Sequence, residues 1–60
     1  MRLCKSKKGL VVFLKCEGKD TESFGNVKEI SVRWNLLVIE CDDYIYAVPI
    51  SRVEYVKIEK

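Results

Sequence analysis

The side chains best suited to chemistry in this sequence are three cysteines, one pair of aspartates and two closely spaced tyrosines. The chain contains no histidine, so catalysis would have to rely on carboxylates, lysine, tyrosine or cysteine. Asp42 and Asp43 form the adjacent carboxylate pair, but aspartate is common in hairpin turns for backbone reasons alone. We find no glycine-rich phosphate loop, nucleophile elbow or metal-binding helix motif. We therefore predict that the protein is not an enzyme.

The cysteines are Cys4, Cys16 and Cys41, and their odd number excludes a fully paired disulfide framework. One alternative is a set of reduced thiols that pack as small apolar groups, as in cytoplasmic proteins. The other is a metal site in which Asp42 or Asp43 assists Cys41. The chain has no Cys-x-x-Cys pair, so we predict no metal and no other cofactor. Because no apolar signal segment follows Met1, we also expect a cytoplasmic location.

The aromatic side chains suggest either a core or a binding surface. Tyr44 and Tyr46 lie two residues apart, so both would point to one face of a strand. On that face they could stack on nucleic-acid bases, or they could pack across strands against Leu37, Ile39 or Val56 and complete the core. Trp34, at the end of a hairpin, is expected to be a lid on the core or an anchor in an interface.

Charge is distributed unevenly along the chain. Residues 1–15 carry five basic side chains and no acidic one, whereas residues 16–60 carry six basic and nine acidic ones. The basic segment is consistent with an ordinary solvated turn, or with a patch that binds phosphate or an acidic partner. The candidate residues for binding nucleic acid or a protein partner are Lys5, Lys7, Lys8, Arg33, Trp34, Asn35, Tyr44 and Tyr46.

The elements that would position these residues are almost all strands. In the first half we predict a short edge strand (2–5), a turn (6–9), a second strand (10–17) and an irregular loop (17–25). Within that loop a single helical turn starting at Asp20 or Thr21 is possible, with Phe24 anchoring the loop to the body.

The second half reads as a meander with very short connections. Residues 26–34 alternate between apolar and polar, residues 36–41 and 44–48 follow after tight turns, and residues 53–59 form the last strand. The second strand is apolar on both faces, which is typical of a central strand. Pro49 ends the fifth strand, and a 3₁₀ turn over residues 49–52 leads into the last one.

Sixty residues form one domain, here residues 1–60, and a chain of this size buries only about 60% of its unfolded surface. The fold class is all-β: a small SH3-like or Sm-like antiparallel barrel of five or six strands, or a strongly curled sheet that pairs its edge with a second copy. With 48% hydrophobic residues, such a small domain is expected to expose apolar surface to a partner. No apolar run approaches the length of a membrane span.

Three segments resemble the Sm/Hfq-like family of RNA-binding barrels. Val12–Lys15 is similar to an early strand of that family that ends in Leu-Lys. Gly25 precedes Asn35-Leu36 by ten residues, as a glycine precedes the Asn-Leu of the first Sm motif, and residues 46–53 resemble the second Sm motif. The resemblance implies a barrel, with Asn35 as a nucleotide contact. Residues 47–49, however, replace the Arg-Gly or Lys-His pair with which that family contacts RNA.

Two functions follow as expectations. The first is a small non-catalytic interaction or accessory module that forms a homo-oligomer or binds a protein partner. The second is an RNA-binding β-barrel of the Sm/Hfq-like type. We expect no small-molecule substrate and no membrane contact.

Overall fold

A computed structural model describes residues 1–60 as a single antiparallel sheet of five strands. The strands are β1 (Arg2–Cys16), β2 (Glu22–Arg33), β3 (Leu36–Cys41), β4 (Ile45–Pro49) and β5 (Val53–Glu59). A 3₁₀ turn at Ile50–Arg52 joins β4 to β5. In the sheet the strands lie in the order β4-β3-β2-β1-β5. The all-β prediction is confirmed, and of its two forms the structure is a curled half-barrel in which β4 and β5 are the edges.

The core lies on the concave face, where alternate residues of each strand meet. Eleven buried apolar residues form one cluster, and three half-buried residues of β5, Val53, Val56 and Ile58, pack against it. The seven largest fully buried side chains are Leu10, Val12, Leu14, Val27, Ile30, Leu37 and Ile39. Strand side chains alternate between faces, and a register shift between Val27 and Glu29 brings both Val27 and Ile30 to the core side.

The second half of the fold agrees with its predicted meander. β2, β3 and β4 are joined by the tight turns at Trp34–Asn35 and Asp42–Asp43, and β5 covers the predicted residues 53–59. The fifth predicted strand was placed one residue early, because Tyr44 lies in the connection and β4 begins at Ile45.

The predicted turn at residues 6–9 is wrong. Residues 2–16 form one strand, and both of its halves pair with β2. Between the pairs Lys5–Glu29 and Leu10–Val27, four residues of β1 lie opposite Lys28 alone, which makes a large bulge. Gly9, at φ +93°, brings the chain back into the ladder. The turn-like composition of this segment therefore produces a bulge, because β2 continues alongside it as a pairing partner.

The irregular loop predicted for residues 17–25 is also shorter than expected. Only the connection between Cys16 and Glu22 is irregular, and no helical turn forms there. β2 begins at Glu22 because residues 22–24 pair with residues 12–14 of β1. Asn26 has a φ angle of +55° and lies in a second bulge, and β2 continues its pairing with β1 on both sides of it. Phe24 is buried, as predicted for the residue that anchors this segment.

β1 is a central strand, as predicted, but it is covered on one face only. It lies between β2 and β5, and its inward residues are fully enclosed. On the outer face Val11 is 41% exposed. No helix of this structure has the length and apolar character that crossing a membrane would require.

Candidate functional site

The turn between β2 and β3 holds Trp34 away from the rest of the protein. Trp34 and Asn35 both have positive φ angles, of 52° and 61°, as a two-residue type I′ hairpin requires. Asparagine adopts this conformation readily, whereas a bulky aromatic residue there is unusual. The Trp34 side chain is 92% exposed, so the predicted role as a lid on the core is wrong.

Other apolar side chains are exposed at the same end of the sheet. The N-terminal amine of Met1 donates to the Val32 carbonyl oxygen at 2.8 Å, which places Met1 beside the end of β2. The N–H of Ile50 donates to the Asn35 carbonyl oxygen at 2.8 Å, which places the 3₁₀ turn beside the hairpin. Met1 is 77% exposed and Ile50 is 39% exposed. We call Met1, Trp34 and Ile50 the hairpin-end patch.

The basic residues singled out from the sequence lie in two separate places. Arg33 is exposed beside Trp34, at the hairpin end. Lys5, Lys7 and Lys8 are exposed in or beside the β1 bulge, opposite Lys28. Lys28 lies six residue steps before Trp34, which corresponds to about 20 Å at the usual rise per strand residue. The basic candidates therefore form two groups, one at the hairpin end of β2 and one beside its middle.

Lys28 connects the bulge to the β3–β4 turn. Its Nζ atom donates to the carbonyl oxygen of Lys7 at 3.2 Å and lies 3.6 Å from Oδ1 of Asp42. Lys28, which lies opposite the bulge, is thus paired with an acidic turn, which partly offsets its charge. Surface ion pairs of this kind contribute about 0–1 kcal/mol to stability.

The two tyrosines have different environments. Tyr46 is half-buried: it lies opposite Ile39, its ring centroid is 5.1 Å from that of Phe24, and its hydroxyl donates to Oε1 of Glu22 at 3.4 Å. Burial, reinforced by the negative charge of Glu22, raises the pKa of Tyr46 above its usual value. The interpretation of Tyr46 as a residue that completes the core is confirmed.

Tyr44 belongs to the surface. It is 49% exposed and lies in the connection before β4. Its pKa is raised, chiefly by a side-chain hydrogen bond with Cys41 and also by the nearby charge of Asp43. Of the two tyrosines, Tyr44 is the exposed one.

Sequence reasoning missed the outer side of β4. Ile45 is 66% exposed, and Ala47 and Pro49 are exposed in the same outward row, beside the half-buried Leu36 and Val38 of β3. We call Ile45, Ala47 and Pro49 the β4 edge row. The signal in the sequence is the run of eight uncharged residues from 44 to 51, but its meaning depends on knowing that β4 is an edge strand.

The two surface depressions of the protein are each lined by few residues. The larger, of about 440 Å³, is open and is lined only by the consecutive residues 40–45 of the β3–β4 turn. The smaller, of about 360 Å³, is lined by Glu17, Gly18 and Arg52. Ligand sites are more often enclosed and built from side chains of several elements.

The three cysteines are free thiols, with Cys16 and Cys41 buried and Cys4 half-buried. No cluster of three or more cysteine, aspartate or glutamate side chains is arranged to hold a metal ion. Comparisons of the chain with known protein families, with curated proteins and with solved structures find no match.

Proposed function

We propose that this protein is a non-catalytic interaction module that associates with a second copy of itself through exposed apolar surface. The observation that carries the proposal is Trp34, a large aromatic side chain that is 92% exposed on a backbone with φ +52°. Unusual backbone conformations persist where they serve a function, and tryptophan is enriched at the centres of interfaces.

Neither the turn nor the core explains a tryptophan at this position. The turn would be more stable with asparagine or glycine, because residues of other types cost about 1–2 kcal/mol in the left-handed region. The core gains nothing from a side chain that stands in water. A partner that covers Trp34 would bury much of the roughly 150–250 Å² that an aromatic side chain offers.

The rest of the exposed apolar surface supports the same proposal. Six other large hydrophobic side chains besides Trp34 and Met1 are at least 39% exposed: Leu3, Val11, Tyr44, Ile45, Ile50 and Tyr55. The hairpin-end patch groups Ile50 with Met1 and Trp34 at one end of the sheet, and grouped exposed apolar side chains often mark interaction sites. The open depressions described above, each built from very few residues, support a role without catalysis.

Sedimentation velocity over a range of concentrations tests self-association. We expect the sedimentation coefficient to rise between about 1 μM and 1 mM, which corresponds to dimer free energies of about −8 to −4 kcal/mol. Trp34→Asn should keep or raise the stability of the single chain and weaken association. A protein that sediments as a single chain throughout this range would overturn the proposal.

A second candidate function, binding of single-stranded RNA, is favoured by the exposed ring of Trp34 beside the exposed Arg33. Aromatic side chains stack on bases with about 1–3 kcal/mol each, and arginine binds phosphate. Fluorescence titration of Trp34 with an oligoribonucleotide at low and high salt tests this function. Quenching that weakens as salt increases is the expected result, and no quenching at low salt would exclude it.

We also propose a cytoplasmic location. Its support is the state of the three cysteines, all of them free thiols, since reduced thiols persist in reducing compartments. Fractionation of cells that express the full chain would test this placement.

A further inference from the structure

The two edges of the sheet differ in charge. β5 carries Glu54, Lys57 and Glu59, which are charged side chains of the kind that protect an edge strand from pairing. β4 has the sequence Ile-Tyr-Ala-Val-Pro and carries no charge at all. Pro49 also blunts an edge, but it lies at the end of β4, so Ile45 and Ala47 leave an uncharged stretch of edge available for pairing with another strand.

The hydrogen bonds at both ends of β4 identify which of its backbone groups are free. The N–H of Cys41 donates to the Tyr44 carbonyl at 2.9 Å, and the N–H of Ile50 donates to the Asn35 carbonyl at 2.8 Å. Tyr44 and Ile50, the even-numbered residues that flank β4, therefore bond to the β3 side. Hydrogen-bonded and non-bonded pairs alternate in an antiparallel ladder, so the other even-numbered residues of β4 also bond to β3. The backbone N–H and C=O groups of its odd-numbered residues then point away from the sheet.

We propose that β4 pairs antiparallel with β4 of a second copy, about a twofold axis at Ala47. This inference rests on the proposed self-association and identifies its backbone surface, which ends at Ile50, beside the hairpin that carries Trp34. In this register Ala47 exchanges two hydrogen bonds with Ala47 of the second copy. The N–H of Ile45 donates to the carbonyl of Pro49 of the second copy, and Pro49 has no N–H to leave unpaired. Two half-barrels then share one continuous sheet of ten strands.

The side chains that meet across the axis match each other. Tyr46 lies opposite Val48 of the second copy on the concave side, and Ile45 lies opposite Pro49 on the outer side. Ile45 is 66% exposed in the single chain, so it gains apolar contact in the pair. A twofold interface requires such self-complementarity, which the β4 edge row has along its whole length.

Charge selects the antiparallel direction. The turn before β4 is acidic (Asp42–Asp43), and the turn after it is basic (Arg52). Antiparallel pairing about Ala47 brings Asp42 beside Arg52 of the second copy at both ends of the interface. Parallel pairing would instead place the two acidic turns side by side, which is unfavourable.

Lysine at the axis tests the surface. Ala47→Lys would place two like charges opposite each other, and we expect the dimer Kd to rise about tenfold or more in sedimentation. The matched control is Val11→Lys, at an exposed apolar site on the outer face of the central strand β1. Circular dichroism of both variants shows whether each single chain remains folded.

Cysteine at the axis tests the register. Hydrogen-bonded antiparallel pairs have Cα atoms about 5.5 Å apart, within the range that a disulfide spans. Ala47→Cys should form a Cys–Cys cross-link between two copies on mild oxidation, which mass spectrometry of the linked peptide identifies. The wild-type chain controls for the native thiols, and Val11→Cys controls for random collision.

The outcomes separate this inference from the proposed function. A wild-type chain that never self-associates overturns both. A chain that self-associates, but whose Ala47→Lys variant associates as strongly and whose Ala47→Cys variant forms no position-47 cross-link, overturns the β4 pairing only. Loss of association in Ala47→Lys together with the position-47 cross-link supports it.

Discussion

Two isoleucines on neighbouring strands give a sensitive test of which face of the sheet forms the core. Ile39 on β3 has no exposed surface, whereas Ile45 on β4 is 66% exposed. Replacing either by valine removes a single methylene group. The comparison therefore varies the environment while the chemical change stays constant.

The magnitude follows from burial. Ile39→Val removes a methylene from a closely packed site and should lower the free energy of unfolding by about 0.5–1.5 kcal/mol. Ile45→Val should change it by less than about 0.5 kcal/mol in the single chain. The total stability expected for 60 residues is about 3–9 kcal/mol, so the first change is a substantial part of the whole.

Urea unfolding followed by circular dichroism measures both values. With a slope of about 1 kcal/mol per molar urea, Ile39→Val should move the midpoint downward by about 1 M while Ile45→Val leaves it in place. The measurement belongs at a concentration where sedimentation shows a single chain. Equal losses for the two variants there would refute the assignment of the concave face as the core. At concentrations that favour pairing, Ile45→Val should begin to destabilise the protein.

Three other changes have defined outcomes. Gly9→Ala should lower the free energy of unfolding by about 1–3 kcal/mol in urea unfolding, because φ is +93° and a Cβ would meet the Asn26 Cα at 3.1 Å. Gly25→Ala is the matched control and should be near neutral, because the space around Gly25 is open. Because the folded state raises the pKa of Tyr46, its contribution to stability is present below the ordinary pKa of about 10 and is lost as the pH rises through the higher folded value. Tyr46→Phe should reduce this alkaline loss in urea unfolding, and an unchanged pH profile would contradict the assignment. In the single chain, Trp34 should emit and be quenched by acrylamide like free tryptophan, and a protected, blue-shifted emission would contradict its exposure.

Local sequence patterns were sufficient to predict the strands that are neighbours both in the sheet and in the sequence. The alternation around Ile30, the short turn at Trp34–Asn35 and the proline at residue 49 predict β2, β3, β4 and the 3₁₀ turn, because their pairing requires only tight connections. The last strand was predicted with its observed limits, 53–59.

Patterns failed where the outcome depends on a distant strand. The lysines and glycine at residues 6–9 have the composition of a turn, yet they form a bulge because β2 runs alongside them. Glu22 looks like loop, yet it pairs with Leu14. Local composition cannot distinguish a bulge from a turn, since both accommodate glycine at positive φ.

The candidate site was predictable in its residue types but less so in its geometry. The exposed aromatic at position 34 and the basic side chains were identified from the sequence. The distance between the basic side chains at the hairpin and those in the β1 bulge, and the free edge of β4, depend on the strand pairing, which residue types do not specify. The absence of charge in β4 acquires meaning only once that strand lies at an edge.

The large bulge in β1 has a consequence for insertions and deletions in the chain. In a regular ladder, inserting one residue turns every later side chain to the opposite face. Here residues 6–9 leave the ladder while Cys4 and Leu10, on either side, keep their pairing with β2 and their inward positions. The segment around Lys7 and Lys8 is therefore the place in this small sheet where residues can be added or removed, or a foreign peptide displayed, without turning the core outward.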